Sequence, residues 1–326
     1  MLTEERNPRT MNLDELSTFD MLRVINEEDA KVAGAVQAAL PQIAQAVDAI
    51  TAALQKGGRL FYVGAGPSGR IALQEAVECV PTYSVPPGTV IGLHAGGEQA
   101  LLRSVEGAED RADEGRADLE QHQASGQDIV IGIAASGRTP YVLGAIAYAK
   151  TLGATTVGIS CNQPAPLLDA VDIPIALLVG PEVVTGSTRM RAGTSQKMVL
   201  NMLSTGSMVR LGKVYGNLMV DVMPTNQKLV NRAQRIIAEV AGVPMETAAN
   251  LLEQASGEVK TAIVIGRRNV SAEQARVLLN EAHGRLREVI GCGGVVDANS
   301  IQLFFVSIRK AEIIRLLCFV MKVEVL

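Results

Sequence analysis

The fold class follows from one segment, Leu60-Phe61-Tyr62-Val63-Gly64-Ala65-Gly66-Pro67-Ser68-Gly69-Arg70. It begins with apolar residues, mostly of the aromatic and β-branched types that favour strands, continues with three glycines, and leads into a helix-forming run. Glycine lets a backbone approach a ligand closely, and a helix N-terminus presents free N–H groups to an anion. The segment therefore predicts a strand, an anion-binding loop and a helix, with Gly66, Ser68 and Gly69 as candidate binding residues.

The same arrangement occurs a second time in the chain. Residues 128–133, which are apolar after Asp128, predict a buried strand, and a helix is predicted from Tyr141 to Leu152. The loop between them again contains Ser-Gly-Arg. Two such loops, each after a strand, predict a phosphorylated small molecule bound beside a parallel sheet. The candidate residues in this second loop are Ser136, Gly137, Arg138 and Thr139.

The middle of the chain alternates between strands and helices. Its apolar runs are continuous, so both faces of each strand should be buried, as in a doubly wound α/β domain with a parallel sheet. Ligands of such sheets bind beyond the carboxyl ends of the strands, where both glycine loops lie. The predicted strands are Leu60–Val63, Val90–Leu93, Ile129–Ile133, Thr155–Ile159 and Ile173–Leu178.

We predict four parts of the chain. Residues 1–44 form an N-terminal arm and helix, residues 45–226 the α/β domain, residues 227–290 a small helical domain, and residues 291–326 a tail to which we assign no role. The polar residues 1–30 are expected to be poorly ordered. Helical spacing of apolar residues continues to Gln55, with Pro41 dividing two helices. Further on, Ser271 begins a capping box.

A polar, glycine-bearing connection over residues 180–194 precedes a long helix, Ser195 to Leu211, in which Gln196, Lys197 and Asn201 are polar residues on an otherwise apolar helix. Thr185 and Ser187 are candidates for lining a ligand site. The alternative assigns the connection a purely structural role, in which Thr194 or Ser195 caps the helix.

Composition excludes several classes of protein. The net charge of −4, the 3% aromatic content and the absence of Trp argue against nucleic-acid binding. The four cysteines and three histidines show no spacing typical of a metal site, so we expect no metal and a reduced, cytosolic protein. No apolar run is long enough to predict a membrane span.

The first glycine loop also resembles a cofactor-binding motif. Gly64, Gly66 and Gly69 match a dinucleotide-binding pattern, but Pro86–Leu93 lacks the acidic residue that would bind the ribose, so we expect no cofactor.

Glu78 is the first candidate for a catalytic carboxylate. It precedes Pro81, which should end the helix, and its neighbours are apolar. Burial there would raise its pKa, as suits a general acid or base. Glu109 is the second candidate, although a solvated helix end is the alternative for it. Cys79 is expected in the core, and the histidines suggest no triad.

Several motifs together resemble the N-acetylmuramic acid 6-phosphate etherase family, whose core is a sugar isomerase (SIS) domain and whose small C-terminal domain is a UBA-like bundle. The resemblance extends to about residue 290. It is carried by the two glycine loops and by Glu78-Cys79-Val80-Pro81-Thr82-Tyr83, Ala95-Gly96-Gly97-Glu98, Val105-Glu106-Gly107-Ala108-Glu109-Asp110 and Glu182-Val183-Val184-Thr185-Gly186-Ser187-Thr188-Arg189-Met190.

The resemblance implies cleavage of the lactyl ether of N-acetylmuramic acid 6-phosphate, without a cofactor, by a cytoplasmic homodimer whose active site lies near the subunit interface. The family's two catalytic carboxylates correspond to Glu78 and Glu109, and its phosphate loops to the two Ser-Gly-Arg loops. Pro67 stands where the family usually has Thr, which removes one hydroxyl from the phosphate site.

Two other activities remain open from the sequence. One is a non-catalytic regulator that senses sugar phosphates, as the glucokinase regulatory protein does with a similar domain. The other is an aldose–ketose isomerase of the same superfamily. Retention of both Glu78 and Glu109 favours the enzyme.

Overall fold

The computed structural model describes residues 1–103 and 105–291. Its centre is a sheet of five parallel strands in the order β2-β1-β3-β4-β5. All five predicted strands are confirmed, with ends that differ by at most two residues. The strands are β1 (Leu60–Gly64), β2 (Val90–His94), β3 (Ile129–Ile133), β4 (Thr155–Ser160) and β5 (Ile173–Ala176).

Helices cover both faces of the sheet, which confirms the predicted α/β class. Four short 3₁₀ turns, at Leu2–Glu4, Pro8–Thr10, Leu13–Glu15 and Ala108–Asp110, accompany them. The α-helices are α1 (Thr18–Asp29), α2 (Val32–Ala38), α3 (Leu40–Gln55), α4 (Gly66–Tyr83), α5 (Gln99–Leu102), α6 (Ala112–Gln121), α7 (Pro140–Thr151), α8 (Pro166–Ala170), α9 (Arg191–Arg210), α10 (Gln227–Ala241), α11 (Met245–Gln254), α12 (Val259–Arg268), α13 (Ala272–Glu281) and α14 (Leu286–Ile290).

Alternate residues of each central strand enter different cores. Leu60 and Tyr62 of β1 pack with helices α3, α4 and α9. Phe61 and Val63 point to the other side, where α6 and α7 cover them. A strand places successive side chains on opposite faces of the sheet. The apolar residues of β1 are therefore buried on both faces, as the continuous pattern predicted.

Register brings the carboxyl ends of three strands to one edge of the sheet. Gly64, the last residue of β1, lies between Ile133 of β3 and His94 of β2. The loops that follow β1, β2 and β3 therefore emerge side by side at this edge, where the candidate binding residues were predicted.

The helices after residue 226 share a hydrophobic core of their own, which also includes Tyr215, Val220 and Val222. The predicted helical character of this region is confirmed, and Ser271 forms the expected capping box with Gln274. Lys260 of α12 binds Asp221 at 2.8 Å, which joins this core to the chain that leads out of α9. The UBA-like character of the region and the four-part division of the chain stay predictions. Residues 292–326, nearly all of the apolar tail, lie outside the described residues.

One local prediction that is wrong concerns Pro81. Helix α4 continues through Pro81 to Tyr83. A proline inside a helix removes one hydrogen bond, to the carbonyl four residues earlier. That carbonyl belongs to Val77, which is exposed, so water can replace the lost partner. Ser84, in the left-handed conformation, then ends the helix by donating its N–H to Val80.

The second error concerns the N-terminal residues, which are ordered rather than a loose arm. Asn7 and Thr10 are buried against the body of the protein. The Asn7 amide donates to the Glu28 carboxylate at 3.0 Å and to the carbonyl of Pro181 at 3.2 Å. These partners are distant in sequence, so a polar composition alone could not reveal them.

Candidate functional site

The first glycine loop forms one wall of a cavity at the carboxyl ends of β1 and β2. Gly66, the first residue of α4, has a φ of +52°, a left-handed conformation that suits glycine. The cavity has a volume of about 470 Å³. Its lining residues are Ala65, Gly66, Pro67, Arg70, His94, Ala95, Ala100, Val105, Glu106, Gly107, Ala108 and Glu109.

Glu109 enters this cavity from a short 3₁₀ turn, Ala108–Asp110, that follows Gly107. Its side chain is exposed to solvent, as the sequence predicted from the acidic neighbours. A carboxylate at this position is within reach of a molecule bound in the cavity and can serve as its proton acceptor. The structure thus places one predicted carboxylate beside the predicted anion loop.

His94 and Arg70 are cavity residues that sequence reasoning did not select. The His94 ring is buried at the end of β2, with Nδ1 2.8 Å from the carbonyl of Ala95 and Nε2 3.1 Å from that of Gly66. Arg70 donates from Nη2 to the carbonyl of Ala100 at 2.9 Å. The position of His94 directly after a predicted strand was the signal that could have identified it.

The second glycine loop leads from β3 into α7. A side chain at Gly137, which has a φ of +68°, would meet the Cβ atom of Ala165 at 2.5 Å. The Ser136 hydroxyl oxygen accepts the N–H of Arg138 at 3.2 Å, which leaves the hydroxyl hydrogen free to donate. Thr139 directly precedes α7 and makes no capping bond with its side chain. Two hydroxyls therefore lie at the N-terminus of this helix.

Ser68 is placed differently from Ser136. It is buried, and its hydroxyl donates to the side-chain oxygen of Gln196 on α9 at 2.8 Å. To donate to a phosphate, the Ser68 hydroxyl would have to release Gln196. Gly69 supports the loop instead through packing, since a side chain there would meet the His94 ring at 2.5 Å.

The predicted apolar setting of Glu78 is wrong, because its side chain is exposed. The buried neighbour on α4 is Cys79, and burial, together with the negative charges of Glu75 and Glu78, raises the pKa of its thiol to about 12. Cys79 therefore stays protonated in the core, as predicted. The helical rotation of about 100° per residue separates these adjacent side chains.

Glu78 lies in a groove between α4 and α9, with a volume of about 240 Å³. Glu75, one turn earlier on α4, accepts hydrogen bonds from the side chains of Asn201 and Ser204 on α9. The lining residues are Ile71, Gln74, Glu75, Glu78, Cys79, Thr82, Tyr83, Lys197, Asn201, Ser204 and Thr205. Glu78 and Glu109 thus line separate cavities of the chain.

The connection before α9 carries the other two candidates. Thr185 is exposed and Ser187 half-buried, and neither lines the cavity of Glu109 or the groove of Glu78. The predicted start of α9 at Ser195 is wrong, since the helix begins at Arg191, and the alternative cap at Thr194 or Ser195 is therefore ruled out. Its first N–H groups, of Arg191 and Ala192, donate to the buried Glu182 carboxylate at 3.0 and 2.9 Å.

Residues 1–103 and 105–291 contain neither a metal-binding cluster nor a membrane-spanning helix. No group of three or more His, Cys, Asp or Glu residues in these ranges could hold a metal ion. Within the same ranges, no helix is long and apolar enough to cross a membrane.

Two family models match the chain. Residues 42–150 match the glucokinase regulatory protein N-terminal SIS domain, and residues 116–206 match the SIS domain. Among solved structures, a phosphoheptose isomerase from Francisella tularensis superposes with a TM-score of 0.48 at 19% identity, over 60% of this chain and 100% of that chain.

Curated relatives match over a longer range. The proteins named N-acetylmuramic acid 6-phosphate etherase from Yersinia pestis (strain Pestoides F) and from Yersinia pseudotuberculosis serotype O:1b (strain IP 31758) are each 55% identical to this chain over 290 residues. Each match covers 89% of this chain and 98% of the relative. This chain therefore belongs to the N-acetylmuramic acid 6-phosphate etherase family.

Proposed function

We propose that this protein is a lyase that cleaves the lactyl ether of N-acetylmuramic acid 6-phosphate to N-acetylglucosamine 6-phosphate and D-lactate. The observation that carries the proposal is the identity of 55% to curated etherases over 98% of their length. The cavity that joins the first glycine loop to Glu109 supports it, because it places a proton acceptor beside an anion-binding loop.

The reaction needs a base, an acid and an anchor, and it balances without a redox partner. In the ring-opened sugar, the C1 aldehyde acidifies the proton on C2. A base removes that proton, the C3–O bond breaks, and the departing lactate oxygen takes a proton from an acid. Water then adds at C3 of the unsaturated aldehyde and C2 is protonated again, which yields the product sugar.

Glu109 is proposed as the base at C2. Its exposed carboxylate shares a cavity with Gly66 and Arg70. Glu78 is proposed as the acid that protonates the lactate oxygen. Glu78 is exposed, and its role rests on the family resemblance and on the assignment of the base to Glu109.

The second glycine loop is proposed as the main phosphate anchor. The free hydroxyl hydrogen of Ser136, the hydroxyl of Thr139 and the N-terminus of α7 are donors that favour a dianion. Gly137 and Arg138 complete the loop. Thr185 and Ser187 are proposed to contact the sugar when substrate is bound, and Gly66, Ser68 and Gly69 to shape the wall beside it.

A homodimer would explain why the two carboxylates line separate cavities of one chain. A second copy near α4 and α9 could bring a carboxylate of one subunit to the cavity of the other. We propose this dimer from the family resemblance, with an active site at the interface. Val77, next to Glu78, is 61% exposed and gives this face of α4 an apolar residue to bury.

The decisive experiment incubates the purified chain with N-acetylmuramic acid 6-phosphate and measures D-lactate with D-lactate dehydrogenase. Stoichiometric release of lactate and N-acetylglucosamine 6-phosphate is expected. The match of residues 42–150 to the glucokinase regulatory protein model makes a non-catalytic sugar-phosphate sensor the second candidate. Binding of the sugar phosphate without lactate release would favour that sensor.

A further inference from the structure

Lys197 projects from α9 into the same groove as Glu78. We propose that Lys197 binds the carboxylate of the lactyl group and thereby selects the lactyl ether as substrate. This assignment rests on the proposed function and adds a specificity-determining residue to it.

The charges of the groove support this role. Among its described lining residues, Lys197 is the one with a cationic side chain. Of the two acidic residues there, Glu75 already accepts hydrogen bonds from the side chains of Asn201 and Ser204. No ion pair of Lys197 occurs among the residues that the structure describes. The groove therefore holds an ammonium group that is not neutralised by a carboxylate of the protein.

The substrate has two anionic groups that need separate partners. The phosphate is assigned to the loop after β3, at the N-terminus of α7. The lactyl carboxylate is attached to the carbon that bears the ether oxygen. A cation that binds this carboxylate must therefore lie next to the acid that protonates the ether oxygen, and Lys197 shares its groove with Glu78, the proposed acid.

Recognition of the carboxylate distinguishes substrate from product. N-acetylglucosamine 6-phosphate keeps the sugar and the phosphate but has a neutral hydroxyl at C3. A lysine aimed at the lactyl carboxylate improves binding of the substrate and not of the product. Lys197 would also stay paired with lactate as the C3–O bond breaks, which holds the leaving group beside its proton donor.

The test compares Lys197→Met with the wild type. Methionine keeps much of the side-chain length and removes the charge. Loss of a hydrogen bond to a charged group predicts a fall in kcat/KM for N-acetylmuramic acid 6-phosphate of about ten- to a hundred-fold. The inhibition constant of N-acetylglucosamine 6-phosphate should not change, because this sugar lacks the carboxylate. Lys197→Arg, which keeps the charge, should retain more activity than Lys197→Met.

Arg210→Met is the matched control, since Arg210 is an exposed cation in the last turn of the same helix and does not line the groove. It should leave both constants unchanged. If Lys197→Met weakens substrate and product equally, Lys197 binds the phosphate or supports the fold, and the proposal is wrong. An unchanged kcat/KM also overturns it. If the proposed lyase function is wrong, the wild type itself releases no lactate, which distinguishes that outcome from a wrong assignment of Lys197.

Discussion

Arg191 and Glu28 form a buried ion pair that joins the first helix to the start of α9. The Nη1 atom of Arg191 donates to Oε2 of Glu28 at 2.8 Å, across 163 positions of sequence. The two side chains are 2% and 3% exposed. Arg191 also donates to the carbonyl of Pro181, at the beginning of the connection that carries Thr185 and Ser187. The N-terminal residues therefore help to hold a candidate substrate loop.

Acid should weaken this contact. Burial by itself would raise the pKa of Glu28, but hydrogen bonds from Lys31, Asn7 and Arg9 and the charge of Arg191 lower it from 4.5 to about 2. A carboxyl with a lowered pKa stabilises the fold above its unfolded pKa. That contribution is lost as the pH falls from about 4.5 towards 2.

Glu28→Gln should therefore reduce the free energy of unfolding at pH 7 by about 3–5 kcal/mol, the usual cost of breaking a buried ion pair. The difference from wild type should shrink at pH 3, because Glu28 is then mostly protonated in the unfolded chain and still mostly ionised in the fold, which lowers its contribution to stability. Urea denaturation at both pH values measures it. Glu27→Gln is the control, at an exposed position that also contacts Arg9. It should lower the free energy of unfolding by about 1 kcal/mol or less. Equal losses for the two variants would contradict the prediction.

The two proposed catalytic carboxylates should differ in the step that they support. Glu78→Gln should abolish lactate release and still permit exchange of the C2 hydrogen with solvent deuterium, because the base remains. Glu109→Gln should lose both, and each loss should be about 100- to 10,000-fold. Lactate assays and proton NMR in D₂O follow the two processes.

Asp110→Asn, next to Glu109 but outside its cavity lining, is the control for the carboxylate variants. Exchange that survives in Glu109→Gln and not in Glu78→Gln would reverse the roles. If neither change slows turnover, both assignments fail.

Ser136→Ala should weaken phosphate binding. A hydroxyl bonded to a charged group contributes about 1.5–3 kcal/mol, so KM for the phosphorylated sugar should rise about ten-fold or more. Steady-state kinetics of lactate release give the constant. Thr155→Ala, at the opposite end of the sheet in an exposed position, should leave KM unchanged. The phosphate assignment does not survive an unchanged KM in Ser136→Ala.

Activity should not depend on a metal or a dissociable cofactor, because the proposed elimination and hydration need only a base, an acid and water. The purified enzyme should release lactate at the same rate after treatment with EDTA and extensive dialysis. A control sample dialysed without EDTA corrects for simple loss of protein. Activity that disappears and returns with zinc or NAD would show that the chemistry has been assigned wrongly.

The protein should be a homodimer at micromolar concentration. Light scattering should give about twice the chain mass of 34.4 kDa. Val77→Asp should weaken the dimer and reduce activity together if the interface includes the exposed face of α4, since it buries a charge there. Val277→Asp, at another exposed valine on α13, is the control. A fully active monomer would rule out the proposed interface.

Local sequence patterns were sufficient for the strands, most helices and the two glycine loops. A continuous apolar run such as Ile129–Ile133 is buried wherever it lies in a parallel sheet, and a glycine loop between strand and helix has few alternative structures. The register of the sheet then brings the loops after β1, β2 and β3 to one edge. The candidate phosphate loops could therefore be named before any contact was known.

Contacts between distant residues decided the rest. The exposure of Glu78 depends on which face of α4 packs on the sheet and on α9, and spacing along the chain does not determine that face. Ser68 pairs with Gln196, Glu75 with Asn201, and Glu28 with Arg191, each across more than 120 positions. Because polar side chains are buried only where a partner compensates their lost hydration, these positions follow from the tertiary packing and not from the local sequence.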